Sequence, residues 1–178
     1  MALRVYASAV LTAVAALWSM SGVQRERPVL GGVVPRSLRA LEAGAAARPD
    51  DTAATRALAQ AYVDVGQPGL AIAVVQAAPA RVRAESSVMH VYARALFDEG
   101  ESDRALAVER EVVAACRPLT EGGAAAAGCD PVLLASALRR VDIFRELVVL
   151  GVRDAQSHPE AALVAYQNAT REARVVFE

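Results

Sequence analysis

The sequence predicts an all-α chain: an apolar N-terminal helix, then a short solenoid of helical hairpins. Three observations predict it. Alanine supplies much of a hydrophobic fraction of 54%, while aromatics are only 4%, and alanine is the best helix former and lets helices approach closely. Two stretches superimpose when one is slid 34 residues along the other, so that Gly66 lands on Gly100, Ala59 on Ala93, Ala71 on Ala105 and Val74 on Val108. A fixed period of that size marks units that cannot bury their own faces and must stack on neighbours. Finally, residues 5–23 carry no charge.

That apolar run comes first in the chain. Nineteen residues at helical rise span roughly 28 Å, close to the ~30 Å hydrocarbon core of a bilayer. Arg4 precedes it and Arg25, Glu26 and Arg27 follow. Residues 1–23 are therefore expected to be a transmembrane anchor. A cleaved signal peptide and a buried core helix are the alternatives, although the run exceeds the usual signal-peptide core. Flanking positive charge is nearly balanced, so orientation is read together with the cysteines discussed below. The expected location is the inner membrane, with one N-terminal span and the rest periplasmic; export after cleavage is the alternative. Residues 24–35, with Pro28, Gly31, Gly32 and Pro35, read as a linker.

Residues 36–178 form the expected helical domain. A first helix covers about 36–47 and ends before Pro49. Asp50 or Asp51 caps the next, which runs from about Thr52 to Val65 with Leu58, Ala59, Tyr62 and Val65 at helical spacing. Gly66-Gln67-Pro68 is a stop and restart, the glycine suited to a left-handed cap and the proline to a first turn. A helix to about Ala78 follows. The second unit repeats the plan: a helix from about Ala84 to Glu99, then Gly100, then a helix capped by Ser102 or Asp103 and reaching about Cys116. Residues 117–130 read as an insertion loop. Asp130-Pro131 opens a helix to about Leu150, stopped at Gly151, and a last helix covers about Pro159 to Phe177. The clear repeats are 52–85 and 86–119, and 131–177 is a C-terminal helical pair, a third unit or a cap.

These residues resemble the tetratricopeptide repeat family. Leu58, Ala59 and Tyr62, then Tyr92, Ala93 and Leu96, fill its first-helix slots. Gly66 and Gly100 stand at the turns, Ala71 and Ala105 at the small second-helix position, and Pro49 at a closing-proline slot. There are departures: Thr55 and Met89 stand in the tryptophan slot, Arg83 and Arg117 in closing-proline slots, and Glu109 in a slot that is usually large and apolar. The match covers about residues 36–117. The resemblance implies a concave groove lined by first helices that holds a partner. The groove positions it implies are Arg56, Gln60, Val63 and Asp64, then His90, Arg94, Phe97 and Asp98. Spacing agrees on geometry, since Arg56, Gln60 and Asp64 are four apart, as are His90, Arg94 and Asp98, so each trio forms one ridge. An arginine on each ridge can fork onto a carboxylate. A solvated face with i,i+4 charge pairs has the same pattern. The family's carboxylate clamp needs lysines and asparagines that are missing here.

Cys116 and Cys129 flank the insertion loop and are expected to form a disulfide in an oxidising compartment. Closing about 14 residues contributes roughly 3 kcal/mol in the chain-entropy model. Net charge is −1 with both signs mixed and no basic stripe, which argues against nucleic acid. Every one of the 19 basic residues is arginine, which with the alanine excess reads as the coding bias of a GC-rich bacterium. No H-E-x-x-H, G-x-S-x-G, phosphate loop or dinucleotide fingerprint is present, and the histidines have no ligand spacing with the cysteines. The expected function is a non-catalytic protein-binding adaptor at the cell envelope, with no cofactor and no metal. A structural accessory subunit of a membrane complex, its N-terminal helix packed among others, is the second expectation.

Overall fold

The computed structural model describes residues 36–175, apart from 121, 125 and 156. The expected anchor at 1–23 and linker at 24–35 lie outside the described residues. Among those described, eight α-helices and one 3-10 turn account for the regular structure and no strand occurs. No helix among them is long and apolar enough to cross a membrane.

The helices are α1 (Arg36–Ala47), α2 (Thr52–Asp64), α3 (Pro68–Ala77), α4 (Ala80–Arg83), α5 (Ser86–Asp98), α6 (Ser102–Cys116), α7 (Pro131–Val149) and α8 (Pro159–Val175), with a 3-10 turn at Arg117–Leu119. Each of the longer helices packs on its successor. In addition α2 packs on α5, and α5 touches α7. The hairpins α2–α3, α5–α6 and α7–α8 thus lean on one another, the second helix of each packing on the first helix of the next.

The offset in the sequence becomes equivalence in burial. Ala59 and Ala93 are fully buried, as are Ala71 and Ala105. A methyl side chain at those places lets neighbouring backbones close up at interior packing density. Around them Val63, Val75, Val82, Val88 and Val91 form one apolar cluster joining α2 and α3 to α5. Leu96, Leu106 and Phe144 form a second, joining α5 and α6 to α7. Leu147, Val152, Ala155 and Ala165 close the stack between α7 and α8.

The same hydrogen-bonded turn ends α2, α5 and α7. Gly66 N donates to Val63 O and Gln67 N to Tyr62 O; Gly100 N donates to Phe97 O and Glu101 N to Leu96 O; Gly151 N donates to Val148 O and Val152 N to Leu147 O. The glycines have φ of 72°, 85° and 69°. This is the Schellman arrangement, which satisfies the last carbonyls of the helix and needs a residue at ease in the left-handed region. The C-terminal pair therefore uses the same closure as the two repeats despite the loop that separates it from them.

Capping follows the expectations in part. Asp51 accepts from Ala54 N at 3.1 Å and caps α2, while Asp50 pairs with Arg81 instead. Asp130 accepts from Leu133 N at 2.8 Å at the head of α7. Neither Ser102 nor Asp103 caps α6; Glu101 stands at that position without a side-chain capping bond, its carboxylate pairing with Arg104 instead. The Ser102 hydroxyl is buried and donates to Arg153 O at 2.7 Å, so it ties down the loop after α7. The helix expected from about Ala84 runs unbroken from Ser86 to Asp98, and a short turn not expected from the sequence precedes it. Pro79 and Glu85 are extended, with ψ of 148° and 130°. Between them the single turn α4 tucks Val82 into the core. At the start of the stack, Tyr62 Oη donates to Glu42 Oε1 at 2.7 Å and fastens α1 to α2. That bond pushes the phenol up to about 12.

Candidate functional site

The first helices of successive hairpins lie side by side and leave a cavity of about 430 Å³ between them. Arg56, Ala57 and Gln60 line it from α2, Ser87, His90 and Val91 from α5, and Asp130 and Leu133 from the head of α7. The third wall depends on the insertion loop returning to α5. Cys116 and Cys129 are joined by a disulfide with Cα atoms 5.4 Å apart, and Ser86 Oγ lies 3.3 Å from the Cys129 sulfur. Gly128 has a φ of +78°, and a Cβ there would come within 3.2 Å of Ser87 Oγ and 3.3 Å of Ser87 N. Only glycine lets the loop sit that close, and this contact delivers Asp130 to the rim.

Arg56 is exposed at the rim and has no hydrogen bond or ion pair among the described residues. Arg94 is placed differently. Its guanidinium pairs with Asp64 at 3.3 Å, and Asp64 also accepts from Gln60 at 2.8 Å. The two ridges are thus bonded to each other across α2 and α5.

Two of the residues expected to face the groove sit elsewhere, and a third, His90, lines the cavity wall while its ring reaches inward. Val63 is buried in the apolar cluster. Phe97 stacks on Phe144, ring centroids 4.6 Å apart at 20°. His90 is 9% exposed and reaches inward to Glu109 on α6, with Nδ1 2.5 Å from Oε1. The physical reason is the tight approach of the helices at their alanines, which turns flanking first-helix positions into seam positions. Asp98, one turn beyond Arg94, contributes to the field around Arg140 on α7.

Below the cavity lies a buried polar cluster that links three helices. Glu109 is fully buried on α6. Its contact with His90 is short but falls outside hydrogen-bond alignment, and Oε2 has no hydrogen-bond partner among the described residues. On its other edge the His90 ring meets Ser136 of α7, Nε2 to Oγ 3.1 Å. Arg140 Nη1 donates to the His90 carbonyl at 2.9 Å and stands 3.9 Å from Glu109 Oε1. Burial pushes the Glu109 carboxyl up, while His90 and Arg140 pull it back. Burial also lowers Arg140, with the Glu109 charge opposing that shift. These are the directions expected when desolvation outweighs partial pairing.

Sequence reasoning placed none of Glu109, Ser136 and Arg140 in a site. One signal was available: a carboxylate in a slot that the repeat pattern keeps apolar. Ser136 and His90 are 46 residues apart, with no motif between them. Among the described residues no group of three His, Cys, Asp or Glu side chains can hold a metal ion. Comparison with protein-family models, with characterised proteins and with solved structures gives no match.

Proposed function

We propose that this chain is an adaptor of the cell envelope, similar to tetratricopeptide repeat proteins, that holds an acidic segment of a partner protein in the groove made by α2, α5 and α7. The observation that carries the reading is the cavity between three successive first helices with Arg56 at its rim. Arg56 is the cation of that rim with no intramolecular partner among the described residues, so a partner carboxylate can take its fork without breaking an existing pair. Arg94 does not serve in that way, since Asp64 already holds it. The uncharged run at 5–23 supports anchoring at the inner membrane, and the disulfide supports an oxidising, periplasmic setting for the repeats.

Photocrosslinking from position 60 in the native cell, followed by mass spectrometry, tests the reading. One dominant partner joined through an acid-rich segment is expected, and Arg56→Glu should abolish the product. A product that survives Arg56→Glu rules out this surface. The accessory-subunit reading draws on another observation: Val132, Val149 and Leu163 are 80%, 75% and 58% exposed on the last two helices. A stoichiometric complex that survives both high salt and Arg56→Glu favours that second reading.

A further inference from the structure

Ser136, His90 and Glu109 form one continuous line of side chains across three helices, hydroxyl to imidazole to buried carboxylate. We propose that Ser136 is a nucleophile, with His90 as its base and Glu109 as the positioning residue, that accepts an acyl group from an activated ester. Such constellations are recognised by geometry and roles and not by order in the chain. The hydroxyl is 3.1 Å from Nε2, within reach for proton transfer. The opposite ring nitrogen is 2.5 Å from the carboxylate, which selects the ring orientation that leaves Nε2 facing the serine. Catalytic hydrogen bonds are commonly long or poorly aligned until substrate binds and tighten in that complex.

Packing does not require this arrangement. The register position of Glu109 in the preceding unit is Val75, which is buried and apolar. A carboxylate there costs desolvation that an aliphatic side chain avoids. Access exists on the α7 side. Ser136 is half-buried, one turn from Leu133 in the cavity wall and one turn from Arg140.

In the reaction, Ser136 Oγ bonds to the ester carbonyl carbon and its proton passes to His90 Nε2. Arg140 keeps guanidinium N–H groups beyond the one given to the His90 carbonyl, and these can donate to the carbonyl oxygen as it gains charge. The ester C–O bond then breaks and His90 returns the proton to the leaving alkoxide. Water repeats the sequence in reverse roles, releasing the acid and restoring the serine. The proposal is independent of partner capture, because none of the three side chains is Arg56.

The test is an alkyl fluorophosphonate on the full, disulfide-intact chain, with the adduct mapped by mass spectrometry. The expected result is one phosphonyl group on Ser136, with fluoride released. Ser136→Ala should carry none, and His90→Gln should slow labelling roughly 10²-fold or more, the scale of a positioned base. Glu109→Gln should lower the maximal labelling rate by at least about tenfold and leave the half-saturating probe concentration unchanged, a split that a packing role would not produce. Wild-type chain without an adduct on Ser136 overturns the proposal whatever the variants do. So does labelling at the wild-type rate in His90→Gln, and the cluster is then a polar lock between hairpins only.

Discussion

Val75 and Glu109 occupy the same place in two consecutive repeats, yet one seam is apolar and the other encloses a carboxylate. In the first seam Val75 packs with Ala59, Ala71 and Val91, and burial alone accounts for its stability. In the second, Glu109 meets His90, which is in register with the exposed Arg56. The helices stack alike in both, held by the same pairs of buried alanines. The difference teaches that the repeat specifies the contact between helices and leaves flanking positions free to carry charge, provided that a partner arrives from a third helix. Here α7 provides Ser136 and Arg140.

The comparison can be broken most forcefully by copying one seam into the other. Val75→Glu places a carboxylate where the facing register position is Arg56, exposed and turned to the rim rather than the seam, and an uncompensated buried charge costs about 3–5 kcal/mol. Denaturant unfolding should show that loss, and a loss below about 1 kcal/mol would mean that the two seams are interchangeable. Reducing the Cys116–Cys129 bond should lower stability by about 3 kcal/mol in the chain-entropy model. It should also release Asp130 from the cavity wall, measurable as weaker crosslinking from position 60.

The turns give a finer contrast. At Gly100 a Cβ would lie 3.2 Å from Asp154 Cβ, whereas at Gly66 it would meet nothing within 4 Å. Gly66→Ala should cost about 1 kcal/mol for the left-handed backbone alone, and Gly100→Ala about 2 kcal/mol because a crowded Cβ is added to it. Equal shifts in thermal unfolding would remove the distinction.

Glu109→Gln carries the smallest effect and a sign. Burial raises the Glu109 carboxyl above its ordinary value of 4.5. Its contribution to stability is therefore fully present below that value and declines as pH rises through the raised one. Glutamine does not titrate, so relative stability should move in favour of the variant as pH rises above 4.5, read from denaturant unfolding across that range. A variant that loses ground over that range would show that the carboxylate is well paired in the folded chain.

Much of the fold was legible. Gly66, Gly100 and Gly151 marked the helix ends because a left-handed cap has few residues that suit it, and Asp51 and Asp130 marked helix starts through bonds made within three residues. Signals failed where a residue had a local and a distant use. Ser102 has the composition of a cap, but a carbonyl 51 residues away takes its hydroxyl. His90 and Arg94 share a ridge by spacing, but the approach of α6 buries the first and Asp64 holds the second.

The order of helices, their turns and the stacking period follow from interactions between near neighbours in the chain, and those are written in the sequence itself. Which side chains meet across α5, α6 and α7 follows from how closely three helices approach. The serine, imidazole and carboxylate come together only because packing selects their depth, a quantity that no spacing along one helix encodes.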